Sequence, residues 1–285
     1  MTPEEETYAL TRAYVPEHVV SLMALISKGD PFLIEEHLGL AKENWLILVG
    51  YPLDRNYSRE RCGQILKQAV ESFRPEYLWF IGPEIPPVLL ESCQERQTDH
   101  YYRLDLSQAR QKPSLLRMAH RAARGLIVER GRSMTGEHKA LISELLTRET
   151  LPARIRELYL AMPDYVGRSA TALTLNALDQ TGRLCAFYVV ELGARDFSTY
   201  VLGAHSKKHP VPHASDLLFL EMINLTREYG KSAINLGLGV NDGIRRFKKK
   251  WGGQPFLAYE FCECRYGKAK KASLIDALMG KFRYS

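Results

Sequence analysis

Nowhere in the chain do eighteen apolar residues follow one another, so the sequence contains no candidate membrane-spanning helix. There is no Gly-rich phosphate loop ending in Lys-Ser or Lys-Thr, no Gly-x-Ser-x-Gly elbow and no Cys/His cluster at zinc spacing. P-loop nucleotidases, α/β-hydrolases and zinc enzymes therefore have little support. The five cysteines, Cys62, Cys93, Cys185, Cys262 and Cys264, are an odd set without metal-ligand or redox spacing, and are expected as reduced, mostly buried thiols. The opening MTPEEETYAL is acidic where a secretory signal needs positive charge before an apolar run, which predicts a cytoplasmic protein. Low-complexity tracts, internal repeats and an aromatic platform for single-stranded nucleic acid are likewise missing.

What is present is an ordinary core-forming composition with a basic surplus. Of the 285 residues 45% are apolar, and the net charge of +6 with a pI near 9.0 suits an anionic partner without requiring one. Residues 8 to 30 carry helix-like spacing in Val19, Val20, Leu22, Met23, Leu25 and Ile26 before the Gly29-Asp30-Pro31 break. Trp45 to Tyr51 predicts a buried strand and Tyr77 to Ile81 a further strand, with a helix from Ser58 to Phe73 between them. A short helix is expected over Val88 to Gln94, then a strand over Tyr101 to Leu106. These elements predict an α/β domain over 1–110. The arginine-rich stretch from Ser107 to Arg132, with Pro113 inside it, marks the joint to a second domain over 111–285.

In that second domain the pattern predicts a strand over Gly125 to Glu129 and a helix from Gly136 to Leu160, interrupted near Thr150-Leu151-Pro152. Strands Thr171 to Leu178, Leu184 to Leu192 and Phe197 to Leu202 follow, the first two joined by an Asp179-Gln180-Thr181-Gly182 hairpin. The helix Leu217 to Tyr229 is apolar almost all round and so predicted to be covered, with Ser215 or Asp216 as its cap. Strand Ala233 to Leu236 leads through Gly237, Gly239 and Gly243 into a basic helix that starts near Asp242. There Ile244, Phe247 and Trp251 share the packing face, Arg245, Arg246, Lys249 and Lys250 the wet side, and Lys248 the seam. Gly252 and Gly253 stop it, Phe256 to Cys264 is the next strand, and Ser273 to Phe282 a last helix.

Over roughly Gly125 to Arg265 this order resembles the GNAT acyltransferase fold. The glycine after the buried helix, the strand ending in Leu-Gly, and NDGIRRFKKKWGG before an apolar strand narrow the likeness. They resemble the branch containing Fem-type peptidoglycan aminoacyltransferases and phosphatidylglycerol aminoacyltransferase domains, whose Gly, Phe-Lys and Gly fall on Gly243, Phe247, Lys248 and Gly252. The resemblance implies two GNAT-like domains in tandem, the first degenerate, each a mixed central sheet flanked by helices. It implies transfer of an acyl or aminoacyl group from an activated donor to a small amine or peptide acceptor. The donor is a CoA thioester or an aminoacyl-tRNA, which makes tRNA a candidate partner. The chain departs from CoA-dependent relatives between strand and buried helix, where His205 to Ser215 contains no glycine and two prolines. A backbone cradle for pyrophosphate is therefore doubtful, while lysine and histidine side chains could still hold phosphate.

Acyl transfer needs a base, a polarised carbonyl and a proton for the leaving group. Glu191, after the apolar run Phe187 to Val190, is the first candidate base; an exposed strand-end glutamate is the plainer alternative. Tyr200, His205 and Tyr259 are candidate acids or orienters, although strand tyrosines are often only core. Candidates for holding the donor are Lys207, Lys208, Ser215, Asn235, Asn241, Arg245, Arg246 and Lys248, with the basic helix equally readable as a solvated face. Asn241 and Asp242 also fit simple turn and cap roles. No metal is implied. The thiols lack a base partner, so direct attack is expected rather than a covalent enzyme intermediate. A non-catalytic GNAT-like protein that uses the same cleft to hold a ligand is the alternative from another class.

Overall fold

A computed structural model describes residues 1–108, 111–151 and 153–266; the expected helix Ser273 to Phe282 lies outside them. Helix α1 (Pro3–Arg12) opens on a capping box in which Thr2 and Glu5 satisfy each other's backbone N–H groups. A 3-10 turn (Pro16–His18) and α2 (Val20–Ser27) follow. The helix-like spacing over 8–30 is thus broken, because Pro16 has no N–H to continue a helix. Next come β1 (Asp30–Ile34), β2 (His37–Lys42), β3 (Trp45–Val49), α3 (Arg59–Phe73), β4 (Tyr77–Gly82), α4 (Pro87–Leu90) and β5 (Cys93–Asp105). Then come α5 (Pro113–Ala122), β6 (Leu126–Gly131), α6 (Gly136–Arg148), α7 (Ala153–Arg168), β7 (Ala172–Asp179), β8 (Leu184–Glu191) and β9 (Phe197–His205). The described chain ends with α8 (Ala214–Glu228), β10 (Ala233–Leu238), α9 (Asp242–Lys250) and β11 (Gln254–Arg265).

The contacts group the described residues into two units, 1–101 with 238–240 and 255–266, and 102–237 with 241–254. Sequence alone places one cut at 110/111; the contacts instead return 255–266 to the first unit, because β11 pairs antiparallel with β4 from Glu260–Gly82 to Arg265–Tyr77. Within the first unit β1, β2 and β3 form antiparallel neighbours, and β3 pairs parallel with β4. Alternation along β3 and β4 feeds two cores, as a period of two requires. Leu46, Leu48, Leu78 and Phe80 meet Ile65 and Leu66 of α3, while Trp45, Ile47, Trp79 and Ile81 meet Ala9 and Val20.

The second unit repeats the scheme with β6, β7, β8 and β9 antiparallel and β9 parallel to β10. On β8, Ala186, Tyr188 and Val190 pack with Leu218, Phe219 and Met222 of α8. Phe187 and Glu191 face the other way, toward His138 of α6 and Tyr165 of α7. The architecture is therefore α/β with mixed strand pairing and helices on both faces. Among the described residues no helix is long and apolar enough to cross a membrane, and no group of three His, Cys, Asp or Glu side chains is arranged to hold a metal ion.

Candidate active site

Strands β9 and β10 stay together for three residues, Phe197–Ala233, Ser198–Ile234 and Thr199–Asn235. Both sides of the fork then deform. Against β8 the register of β9 jumps from Thr199 and Tyr200 to Leu202, leaving Val201 as a bulge that bends the strand. On the other side Gly237 takes φ +69°, a conformation costly for any residue with a Cβ. Its N–H is satisfied by Asn235 Oδ1 at 2.9 Å within its own strand. That bond stabilises the bend, while Asn235 Nδ2 stays buried without a protein partner.

Beyond the vertex lies a cavity of about 220 Å³. Its walls are Tyr188, Tyr200 and the stretch Gly203 to His205 on the sheet, Ser215 and Phe219 on α8, Leu236 on β10, and Gly243, Ile244, Phe247 and Lys248 from α9. The glycine at 203 is required for space, since a Cβ there would strike the Tyr188 ring and lie 2.8 Å from the Phe187 carbonyl oxygen. Tyr188 is fixed by donating to the Ser215 carbonyl at 2.9 Å and meets Tyr200 edge-on at 4.9 Å. Burial above all pushes the pKa of both hydroxyls far up, outweighing the Ser215 bond at Tyr188, with neighbouring tyrosines adding at both and the Asp216 charge at Tyr188, so they remain proton donors. Burial, then the charges of Lys207 and Arg148, hold His205 below the usual imidazole value, so its neutral form prevails at pH 7. Lys248 is the cation of this wall; it is 5% exposed and its ammonium stands 5.6 Å from the Tyr102 ring centroid.

Helix α9 is held in place by a residue that sequence left as a cap candidate. Asp216 is buried in the first turn of α8, whose N-cap position is His213. Its carboxylate accepts from Lys250 Nζ at 2.6 Å and from Trp251 Nε1 at 3.0 Å, and pairs with His213 Nδ1 at 3.1 Å. Phe247 and Trp251 pack on Phe219 at 5.5 and 5.0 Å, as their shared face predicts. Ile244 departs from that face: it is 37% exposed and belongs to the cavity wall. Local pattern cannot reveal that a helix faces a void on one turn and a core on the next.

The candidates separate accordingly. Tyr200, His205, Ser215 and Lys248 come together on the cavity. Asn235 supports the fork, and Asn241 caps α9 by accepting from Ile244 N at 2.9 Å. Arg245 pairs with Asp242 at 3.0 Å, and Arg246, Lys207 and Lys208 are exposed. Tyr259 belongs to the first unit, edge-on to Tyr101 at 5.5 Å, and does not line the cavity. Nor does Glu191, which is only 1% exposed; it accepts from the Tyr165 hydroxyl and, at 2.6 Å, from Gly193 N. Those bonds match a buried structural carboxylate.

No family model and no curated relative matches the chain. Solved structures do. FemX superposes with a TM-score of 0.61 at 12% identity, covering 91% of this chain and 96% of its own. L-PGS from Bacillus licheniformis gives 0.57 at 16% identity over 98% and 95%. A tandem GNAT protein from the clavulanic acid biosynthesis pathway gives 0.54 at 14% identity over 93% and 95%. At such identities the likeness establishes architecture and nothing finer: the chain has the tandem GNAT-like fold.

Proposed function

We propose that the second unit transfers an acyl or aminoacyl group from an activated donor, a CoA thioester or an aminoacyl-tRNA, to an amine. The observation that carries this is the cavity at the parting of β9 and β10, walled by apolar side chains around one buried lysine. Such a site admits the reacting end of a donor and excludes water, and a cation there acts in a low dielectric where it is worth far more than in bulk. Lys248 polarises the donor carbonyl and stabilises the oxygen that becomes negative. Neutral His205 takes the proton that the attacking ammonium must lose. The amine nitrogen bonds to the carbonyl carbon, the bond from that carbon to the donor sulfur or oxygen breaks, and Tyr200 gives a proton to the leaving group and recovers the second proton that the nitrogen sheds as the amide forms.

Transfer from labelled acyl-CoA and aminoacyl-tRNA panels to small amines and peptides tests it directly. Lys248→Met keeps the volume and removes the charge, so turnover should fall by about 100-fold while the fold survives. His205→Ala should cost on the order of 100-fold and remove the acid limb of the pH profile. Absence of transfer with every donor, alongside saturable ligand binding, would instead establish the non-catalytic binding protein.

A further inference from the structure

Directly after His205, which lines the cavity, the chain turns from β9 toward α8 through Ser206 to His213. This junction has the makings of an anion site: the amides of Lys207 and Lys208 and the Ser206 hydroxyl converge on one point, and both lysine side chains are exposed. The junction already holds an anion. Glu144, reaching across from α6, accepts from Lys207 N at 2.5 Å and from the Ser206 hydroxyl at 3.1 Å, with Arg148 3.5 Å away. Burial alone would raise its carboxyl. The amide of Lys207, the Ser206 hydroxyl, the amide of Lys208 and the Arg148 charge outweigh burial and keep it below the usual range. The start of α8 carries a second acid, Asp216, committed to Lys250 and Trp251. Pro210 and Pro212 remove two further donors from the turn.

Resting on the reading of the cavity as the donor site, we propose that Glu144 is a specificity-determining residue: its carboxylate fills the anion nest of the β9–α8 junction and so excludes donors that must place a pyrophosphate there. Two charges of like sign cannot share one set of amides, so a pyrophosphate enters only by expelling Glu144 from Ser206 and Lys207. The same contact orders the loop, because Ser206 Oγ also receives His209 N at 3.0 Å.

The test is equilibrium binding of CoA and of inorganic pyrophosphate to the full chain at low salt, by calorimetry. Wild type should bind both weakly, and Glu144→Ala at least tenfold more tightly. Glu144→Gln, which retains an acceptor oxygen for the loop without its charge, should gain about threefold and serves where the alanine variant unfolds. Wild-type binding of CoA as tight as that of the variants, or no gain in a folded variant, overturns the proposal. Efficient wild-type transfer from acyl-CoA overturns it while leaving the transferase reading intact. A chain that gains pyrophosphate on Glu144→Ala yet transfers nothing overturns the transferase reading alone.

Discussion

Each unit contains one parallel strand pair joined by a fifteen-residue helix, β3–α3–β4 in the first and β9–α8–β10 in the second, and the two pairs end differently. In the first unit five residues pair from Trp45–Tyr77 to Val49–Ile81, and Gly50 N then donates to Ile81 O at 2.6 Å, so the strands stay zipped to their ends. Its glycines serve space: Gly50 and Gly82 leave room for the Phe80 ring. In the second unit Gly237 serves conformation, turning β10 away at φ +69°. There one strand of the parallel pair bulges at Val201, its partner bends at Gly237, and the cavity lies beyond them. The first unit keeps the scaffold and packs the Phe80 ring against the glycines at its strand ends.

The sealed unit carries its liabilities elsewhere. His18 and His37 are buried there, and burial above all holds both near a pKa of about 4. His18 shares its Nε2 with the Tyr51 carbonyl at 2.8 Å, and neither nitrogen of His37 has a protein partner. Both pKa values are depressed on folding, so unfolded chains bind protons first as pH drops. Their stabilising effect is complete above about pH 6.5 and is lost progressively down to about pH 4, at roughly 3 kcal/mol per imidazole. Chemical denaturation followed between pH 7 and pH 4 should show the first unit failing first. Replacing both histidines by glutamine should flatten that slope, and an unchanged slope would mean that other groups drive it.

In the open unit the largest single cost falls on Asp216. Removing its carboxylate leaves the buried Trp251 indole without an acceptor and the partly exposed Lys250 without its partner, and Asp216→Ala should cost roughly 3 kcal/mol by urea unfolding. Because α9 forms one wall of the cavity, activity should fall further than the folded fraction explains. Equal losses in stability and activity would reduce Asp216 to a core contact.

Much of this was readable from sequence. The order of strands and helices in the second unit follows from apolar periodicity, and the start of α9 follows from Asn241 and the glycines around it. Tyr200, His205, Ser215 and Lys248 meet because they sit on the elements that flank the fork. The β1–β2 hairpin did not announce itself: Asp30-Pro31 reads as a break, yet Pro31 is tolerated because β1 is an edge strand. The outer half of β5 is polar and mostly exposed, so it lacks a strand's apolar face; Arg96 and Thr98 are instead bonded to Glu260. Glu144 and Asp216 escaped for a deeper reason. Each is an ordinary acid on a helix, and its role is set by partners 34 or more residues away.

Glu191 sharpens the comparison, since an acid at the end of a central strand looks catalytic by position. Tyr165 donates to one oxygen and Gly193 N to the other, and Lys231 lies near enough for the carboxylate to counter part of its burial-lowered pKa. Tyr165→Phe should therefore cost about 2 kcal/mol of stability and leave the rate of transfer per folded molecule unchanged. A reduced rate with normal stability would return Glu191 to the chemistry.

The smallest expected stability change bears most directly on the fork. A Cβ on Gly237 has space, its nearest neighbour being the Tyr200 carbonyl oxygen at 3.8 Å, so Gly237→Ala meets only the penalty for a side chain at positive φ. That penalty is about 1 kcal/mol. The cheapest relief is for residue 237 to turn to extended backbone, which takes its N–H from Asn235 Oδ1 and aims it at β9. The second fork would then zip as the first does and close the cavity from its vertex. Melting should shift by only a few degrees, while donor affinity falls well beyond that shift, seen as a raised KM with kcat little changed. Unaltered KM in a stable Gly237→Ala protein would show that the bulge at Val201 alone holds the strands apart, and that the glycine merely accommodates a bend imposed from the other side.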